Sequence, residues 1–476
     1  MRRASGAGKF ALGLLVVLAL FSAGCGQKPG VHQLGQASNW ATSDGEAIGE
    51  AVPGSSSLET SGTVQPGADT SPGSRITKTP AAAAGRSDGG TGGGGVTGDR
   101  TGVTDTEIVI GVHAPVTGAA PFPQTTFDKG KDVYWKWLAG RGGLFGRKVR
   151  VEFGDDAYTP SRAQATCMQL IQQKKVFLLV GGGGADQIQA CGQYAASVGV
   201  PYLSAGVMEV GLKGLKSYFA ASMSYPQQAV LMAQYIVSRL DGAKKKVAIV
   251  RANTVNFDDV RSAFLKAAQT YGINVVRDDT VPKDPDDNAL MTEAVALKNA
   301  GVEIVFWVTA PVTWIHEATA ANDQGYHPMW VTPGITIGEN VVAQTTCSID
   351  PTVRARSLTP FQNLDVIDNF DPEFRKAYEK YVTSENSALK PDDIGIALWG
   401  LSKVLHQAFL KVGSAENLTR ESFVAALEKA TNLRTNVFPT LNFTPANHFG
   451  AREAHVIEIN CSNGQWRTIE TFKDRF

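Results

Sequence analysis

An α/β fold of two doubly wound, parallel-sheet lobes is predicted by three features of this 476-residue chain. From Glu107 onward, short β-branched or apolar runs alternate with helical stretches of roughly 12–16 residues. The alternation restarts once, near Pro226. Two further consecutive helices and a final pair of strands then follow, so the chain must return between lobes. In the first lobe, Glu107–His113 (EIVIGVH) reads as a strand, 127–138 as a helix and 148–153 as a strand. Residues 160–173 form a helix opened by Pro160, a residue suited to the first helical position. Residues 176–180 (VFLLV) are a buried strand leading into Gly181–Gly184. A helix at 186–198 and a strand at 200–203 complete that run.

The second lobe begins with a helix at 226–240 and a strand at 246–250. A helix at 258–271 ends at Gly272, where the left-handed turn that closes a helix favours glycine. A strand at 273–277, a helix at 288–300, a strand at 302–308, a helix at 312–323 and a short strand at 329–331 follow. Helices at 371–386, 392–412 and 421–430 precede strands at 454–460 and 466–471.

The N-terminal region stands apart from the fold. Arg2, Arg3 and Lys9 precede the apolar run Phe10–Phe21, which has the length of a signal-peptide core and is short for a membrane span. Ser22-Ala23-Gly24-Cys25 resembles the lipobox of bacterial lipoproteins, which implies cleavage after residue 24 and a lipid on Cys25. Residues 25–103 are rich in Gly, Ser, Thr, Ala and Pro. They carry too few large apolar side chains to offset the entropy of ordering, and are expected to be a disordered tether. A formal net charge of zero offers nothing to attract nucleic acid.

Outside the cytoplasm, the four remaining cysteines are expected as disulfides. Cys167 and Cys191 lie on consecutive helices flanking one strand, which predicts the pair Cys167–Cys191. Cys461 ends a late strand returning to the second lobe and Cys347 follows that lobe's last unit, which predicts Cys347–Cys461.

Enzyme motifs fail on inspection. Gly181–Asp186 occupies the place of a dinucleotide loop, but G-x-G-x-x-G fits in no register. His316-Glu317-Ala318-Thr319-Ala320 starts like a zincin helix, with Ala320 where the second histidine belongs. Tyr202–Gly206 lacks the first glycine of a nucleophile elbow. No catalytic residue, metal or cofactor is predicted.

Several segments resemble the branched-chain amino acid-binding family, the leucine/isoleucine/valine-type receptors. They are Ile110–Gly118 (IGVHAPVTG), Gly142–Val149 (GGLFGRKV), Asp155-Asp156-Ala157 before Pro160, Leu179–Gly181 and Gly199–Ser204 (GVPYLS). The resemblance implies a type I periplasmic binding fold with a three-strand hinge, crossing near 222–225, 353–360 and 435–445. Lobe 1 is then 104–223 plus 358–440, and lobe 2 is 224–357 plus 441–476. It also implies a monomer that carries a small molecule, of the amino acid, amide or small organic acid class, to the permease subunits of an ABC importer. A ligand sensor of the same fold is the alternative.

Ligands of open α/β sheets bind beyond the carboxyl ends of the strands. The candidate contacts there are Thr117, Phe122, Gly183, Gly184, Ala185, Asp186, Ala205, Gly206, Met208, Asn256, Phe257, Ala310, Trp314 and Gly334. The resemblance places the carboxylate-binding hydroxyls of amino-acid receptors at 185–187 and at Met208, where no hydroxyl stands. It places the ammonium-binding acid near Gly334, and no Asp or Glu lies between Thr332 and Ile337. A ligand other than a plain α-amino acid is expected.

Overall fold

Ile108, Val109, Ile110 and Val112 are β-branched and all are buried. Strand β1 (Glu107–Ala114) is therefore covered on both faces, as parallel strands between helical layers are. The computed structural model describes residues 97–476 apart from 123, 206–208 and 335–338. The signal sequence, Cys25, most of the tether, Gly206 and Met208 lie outside the described residues. None of the helices in the described residues is long and apolar enough to cross a membrane.

β1 is joined by β2 (Lys148–Asp155), β3 (Leu178–Gly181), β4 (Tyr202–Ser204) and β5 (Tyr218–Ala220). All pairings are parallel, in the order β2-β1-β3-β4-β5. The second sheet holds β6 (Lys246–Ala252), β7 (Asn274–Val281), β8 (Ile304–Val308), β9 (Met329–Thr332), β10 (Arg354–Thr359), β11 (Ala454–Asn460) and β12 (Gln465–Lys473). Its order is β12-β11-β10-β9-β8-β6-β7. This sheet is parallel through β10 and then antiparallel, because β11 and β12 form a hairpin on its edge.

Three crossings join the lobes. The first follows β5, where Ser224 caps the helix Tyr225–Leu240: its hydroxyl accepts from the Gln227 N–H while the Gln227 side chain accepts from the Ser224 N–H. The second follows Thr359. It falls after β10 because Arg354–Ser357 pair in parallel with β9 and Arg356–Thr359 pair antiparallel with β11, so Leu358 and Thr359 stay in the second lobe. The third comes after Ala451, later than the expected 441. Gly450 N–H donates to Ala220 O across 2.9 Å and Phe443 packs on Phe219 at 5.5 Å, which keep 441–451 on the first sheet. The second and third crossings run side by side, tied by His455 Nε2 and Gln362 Oε1 at 2.9 Å.

The helix Asp393–Val412 covers the first sheet, with Trp399 edge-on to Tyr134 at 4.8 Å. Cys167–Cys191 staples the helices Pro160–Gln172 and Ala185–Ser197. Cys347–Cys461 ties the helix Glu339–Ile349 to the residue after β11. These are the pairs the sequence predicts.

Candidate functional site

The carboxyl end of β3 runs into Gly181–Gly184, and the helix Ala185–Ser197 starts immediately afterwards. Its first N–H groups have no intrahelical partner, so this end of the first lobe presents main-chain donors. Beneath the glycines lies a buried relay. His113 Nδ1 is 2.8 Å from Asp156 Oδ2, and His113 Nε2 is 2.7 Å from the Tyr202 hydroxyl. A carboxylate only accepts, so Nδ1–H donates to Asp156 and Nε2 accepts from Tyr202. Burial raises the Tyr202 pKa far above its ordinary value, which keeps that donor protonated. The relay explains the glycines above it. A side chain at Gly181 would collide with the Tyr202 hydroxyl and His113 Nε2, and one at Gly182 with the His113 ring.

The lobes meet at Asp186. Its carboxylate accepts from Lys283 Nζ at 2.8 Å and from the Asn256 amide, both of the second lobe. Lys283 Nζ also sits 4.5 Å from the centroid of Tyr158, just past β2. Tyr158 is not among the residues predicted from sequence, although it follows the Asp155-Asp156-Ala157 segment. Gln187 is a second omission. It is fully buried, next to Gly184 and Tyr158, and neither polar atom of its amide has a hydrogen-bond partner. Asn256 Oδ1 is likewise unpartnered in a side chain 3% exposed.

Several predicted residues gather at these strand ends. Gly183, Gly184 and Ala185 form the turn and first helical residue above the relay, and half-buried Phe122 lies against Gly183. Phe257 is half-buried, 6.0 Å from Tyr225. Thr117 is committed elsewhere: its hydroxyl donates to Asp155 Oδ2 at 2.5 Å. The carbonyl of Ala205 accepts from Ser222. Gly334 N–H, expected at the ligand, donates to Gln228 Oε1 at 2.7 Å. Ala310 is buried as the N-cap of the helix Pro311–Asp323. Trp314 is corrected to a core residue. One turn into that helix it faces the sheet, 3% exposed, packed against Trp330 and Trp466.

The carboxylates near the cleft are mostly committed. Asp155 takes Thr117 and the N–H groups of Val116 and Ala157. Asp258 pairs with Arg251 at 2.8 Å. Glu209 accepts from Ser224 and Lys213. Asp259 differs: no side-chain partner bonds its carboxyl oxygens, and burial, with a lesser push from the charge of Glu209, raises its pKa to about 6 against the backbone N–H groups of Val260 and Asp259. One His/Cys group among the described residues is dense enough to consider for a metal, His113 with Cys167 and Cys191. The cysteines bond to each other and both ring nitrogens of His113 are engaged, so no ligand set is left.

A family model described as periplasmic binding protein matches residues 107–465. The chain is similar to the Leu/Ile/Val-binding protein homolog 3 of Brucella melitensis biotype 1, 30% identical over 204 residues, 42% of this chain and 54% of that protein. An amino acid binding protein of Pseudomonas aeruginosa is 26% identical over 204 residues, 42% of this chain and 53% of that protein. The chain thus spans about half the length of the curated relatives it matches. Among solved structures, it superimposes on a fatty acid ABC transporter substrate-binding protein from Thermomonospora curvata with a TM-score of 0.67 and 18% identity, covering 80% of this chain and 95% of that one. An R. palustris solute-binding protein in complex with benzoate gives a TM-score of 0.62 and 18% identity, covering 76% and 95%. LivJ of Streptococcus pneumoniae in complex with isoleucine gives 0.64 and 16%, covering 77% and 100%. At these identities the likeness is one of fold.

Proposed function

The chain belongs to the periplasmic binding protein family, and on that premise we propose that it is an extracytoplasmic solute-binding protein, not an enzyme, that captures a small molecule between its lobes for an ABC importer. The observation that carries this reading is the meeting of strand ends from both sheets across one seam, with Asp186 of the first lobe bonded to Lys283 and Asn256 of the second. Hinged lobes that meet at their strand ends can enclose a solute. The reading includes a lipid on Cys25, a tether that holds the folded part at the outer face of the membrane, and a monomer that hands its cargo to permease subunits.

The ligand class we propose is uncharged or singly anionic, with apolar or aromatic bulk. Phe122, Tyr158 and Phe257 offer apolar surface near the seam, and the helix N-terminus after Gly184 offers donors for an anion. An ammonium group would need a free carboxylate, because an unpaired buried charge is costly. Asp155, Asp156 and Asp186 already have partners. A thermal-shift screen of small acids, amides and amino acids tests capture. A ligand at 100 times its Kd adds about 2.7 kcal/mol, and a screen in which no compound raises the melting temperature would count against it. Calorimetry with leucine, isoleucine and valine tests the class. Micromolar binding of any of them would overturn it and make Asp259 the ammonium acceptor, a role that Asp259→Asn would then abolish.

A further inference from the structure

Closing two lobes on a ligand requires something to hold the closed form, and the lobes' own side chains supply part of that hold. Asp186 receives two donors from the opposite lobe: Lys283 Nζ at 2.8 Å, from the loop after β7, and the Asn256 amide, from the turn after β6. The ion pair is partly shielded from water, with 27% of the Lys283 side chain and 18% of the Asp186 side chain exposed, so it is screened less than a surface pair. Lys283 makes a second contact with the first lobe through the Tyr158 ring.

We propose that Asp186, Lys283 and Asn256 form an interlobe clasp that populates the closed cleft in the absence of ligand. The clasp rests on the hinged-lobe reading above. It adds that ligand-free protein is already biased toward closure, and that Lys283 sets the bias. A ligand then binds a state that is partly preformed, and its apparent affinity falls when the clasp is removed. Asp186 is on this account a closure residue whose carboxylate is not available to the ligand.

The test needs no ligand. Spin labels are placed at exposed positions of the two lobes, Gln173→Cys and Gln269→Cys, in the full chain carrying Cys25→Ala, and their separation is measured by pulsed dipolar resonance. The unmodified clasp is expected to give mainly the short, closed distance. Lys283→Met and Asp186→Asn are each expected to lower the ratio of closed to open by about fivefold or more. The swap Asp186→Lys with Lys283→Asp is expected to restore the closed distance. Raising the salt concentration should open the unmodified clasp and leave Lys283→Met unchanged. Unchanged distances in both single variants, or an open cleft before any substitution, would overturn the clasp. A swap that stays open would assign the loss to packing and overturn it too. Thermal melting of each variant separates opening from unfolding. Because no solute is present, these outcomes are independent of whether the ligand screen succeeds.

Discussion

His113 donates to Asp156 across 2.8 Å with neither side chain exposed to water, directly beneath the glycine turn that faces the cleft. The pair is worth little as a net stabiliser, since bringing two polar groups out of water offsets most of their attraction. Its removal by halves is another matter. His113→Leu leaves a buried carboxylate without its partner and is expected to cost about 3–5 kcal/mol in urea unfolding. Asp156→Asn keeps a hydrogen-bond acceptor for His113 and should cost markedly less. A loss in His113→Leu below about 1 kcal/mol would show that water reaches Asp156.

The second lobe holds a different kind of buried acid. Glu317 is fully buried and neither oxygen has a partner, and burial together with the charge of Glu293 pushes its pKa up to about 9. The unfolded group titrates near 4.5. A folded pKa above the unfolded one favours the native state most where both forms are protonated, below 4.5, and stability falls as pH rises toward 9. Glu317→Met removes this dependence. It is expected to gain about 1–3 kcal/mol over the parent at pH 8 and much less at pH 5, by urea unfolding at both values. Parallel pH profiles for the two proteins would mean that Glu317 is ionised and solvated.

Both disulfides close loops in the unfolded chain, with separations of 24 residues for Cys167–Cys191 and 114 for Cys347–Cys461. On chain-entropy grounds, replacing the first pair by alanine should cost about 3 kcal/mol and the second about 5 kcal/mol. Peptide mapping without reduction should recover both linkages. Four free thiols, or any other pairing, would contradict them.

Which parts of the molecule are legible in the sequence follows from how far each interaction reaches along the chain. EIVIGVH, VFLLV and VEIVFWV announce strands because their burial is local and two-sided. Cys167–Cys191 is legible because helix-strand-helix order places consecutive helices side by side, and Cys347–Cys461 because the late strand ending before Cys461 returns to the lobe whose last unit precedes Cys347. β5 is apolar but only three residues long (YFA), and β10 reads RARSLT with no apolar run, so both become strands only by pairing with neighbours already in place. The family resemblance starts the return at 441, yet Phe443 packs on Phe219 and Gly450 N–H donates to Ala220 O, so 441–451 stay with the first sheet. At the cleft, the glycine turn and Asp186 could be found from the strand they follow. Lys283 could not, because its partner is 97 residues away in another lobe. Trp314 follows a strand end, but that proximity does not say which face of the helix a side chain takes, and the structure turns it toward Trp330 and Trp466.

Gln187 offers the sharpest separation of stability from function. An amide that is fully buried with neither oxygen nor nitrogen bonded is costly to the fold. Replacing it by an apolar side chain of similar length removes that cost, so Gln187→Met is expected to raise stability by about 1–3 kcal/mol. If the amide is held in reserve for a solute that enters beside Gly184, the same change should weaken binding of any compound found in the screen, by about tenfold or more, because one hydrogen bond to the ligand is lost in a dry site. Thermal melting and calorimetry on one pair of proteins read both effects. A gain in stability with undiminished affinity would remove Gln187 from the site. A loss of stability would show that an ordered water already satisfies the amide, and would leave the donors of the helix N-terminus as the first lobe's only polar offering at that position.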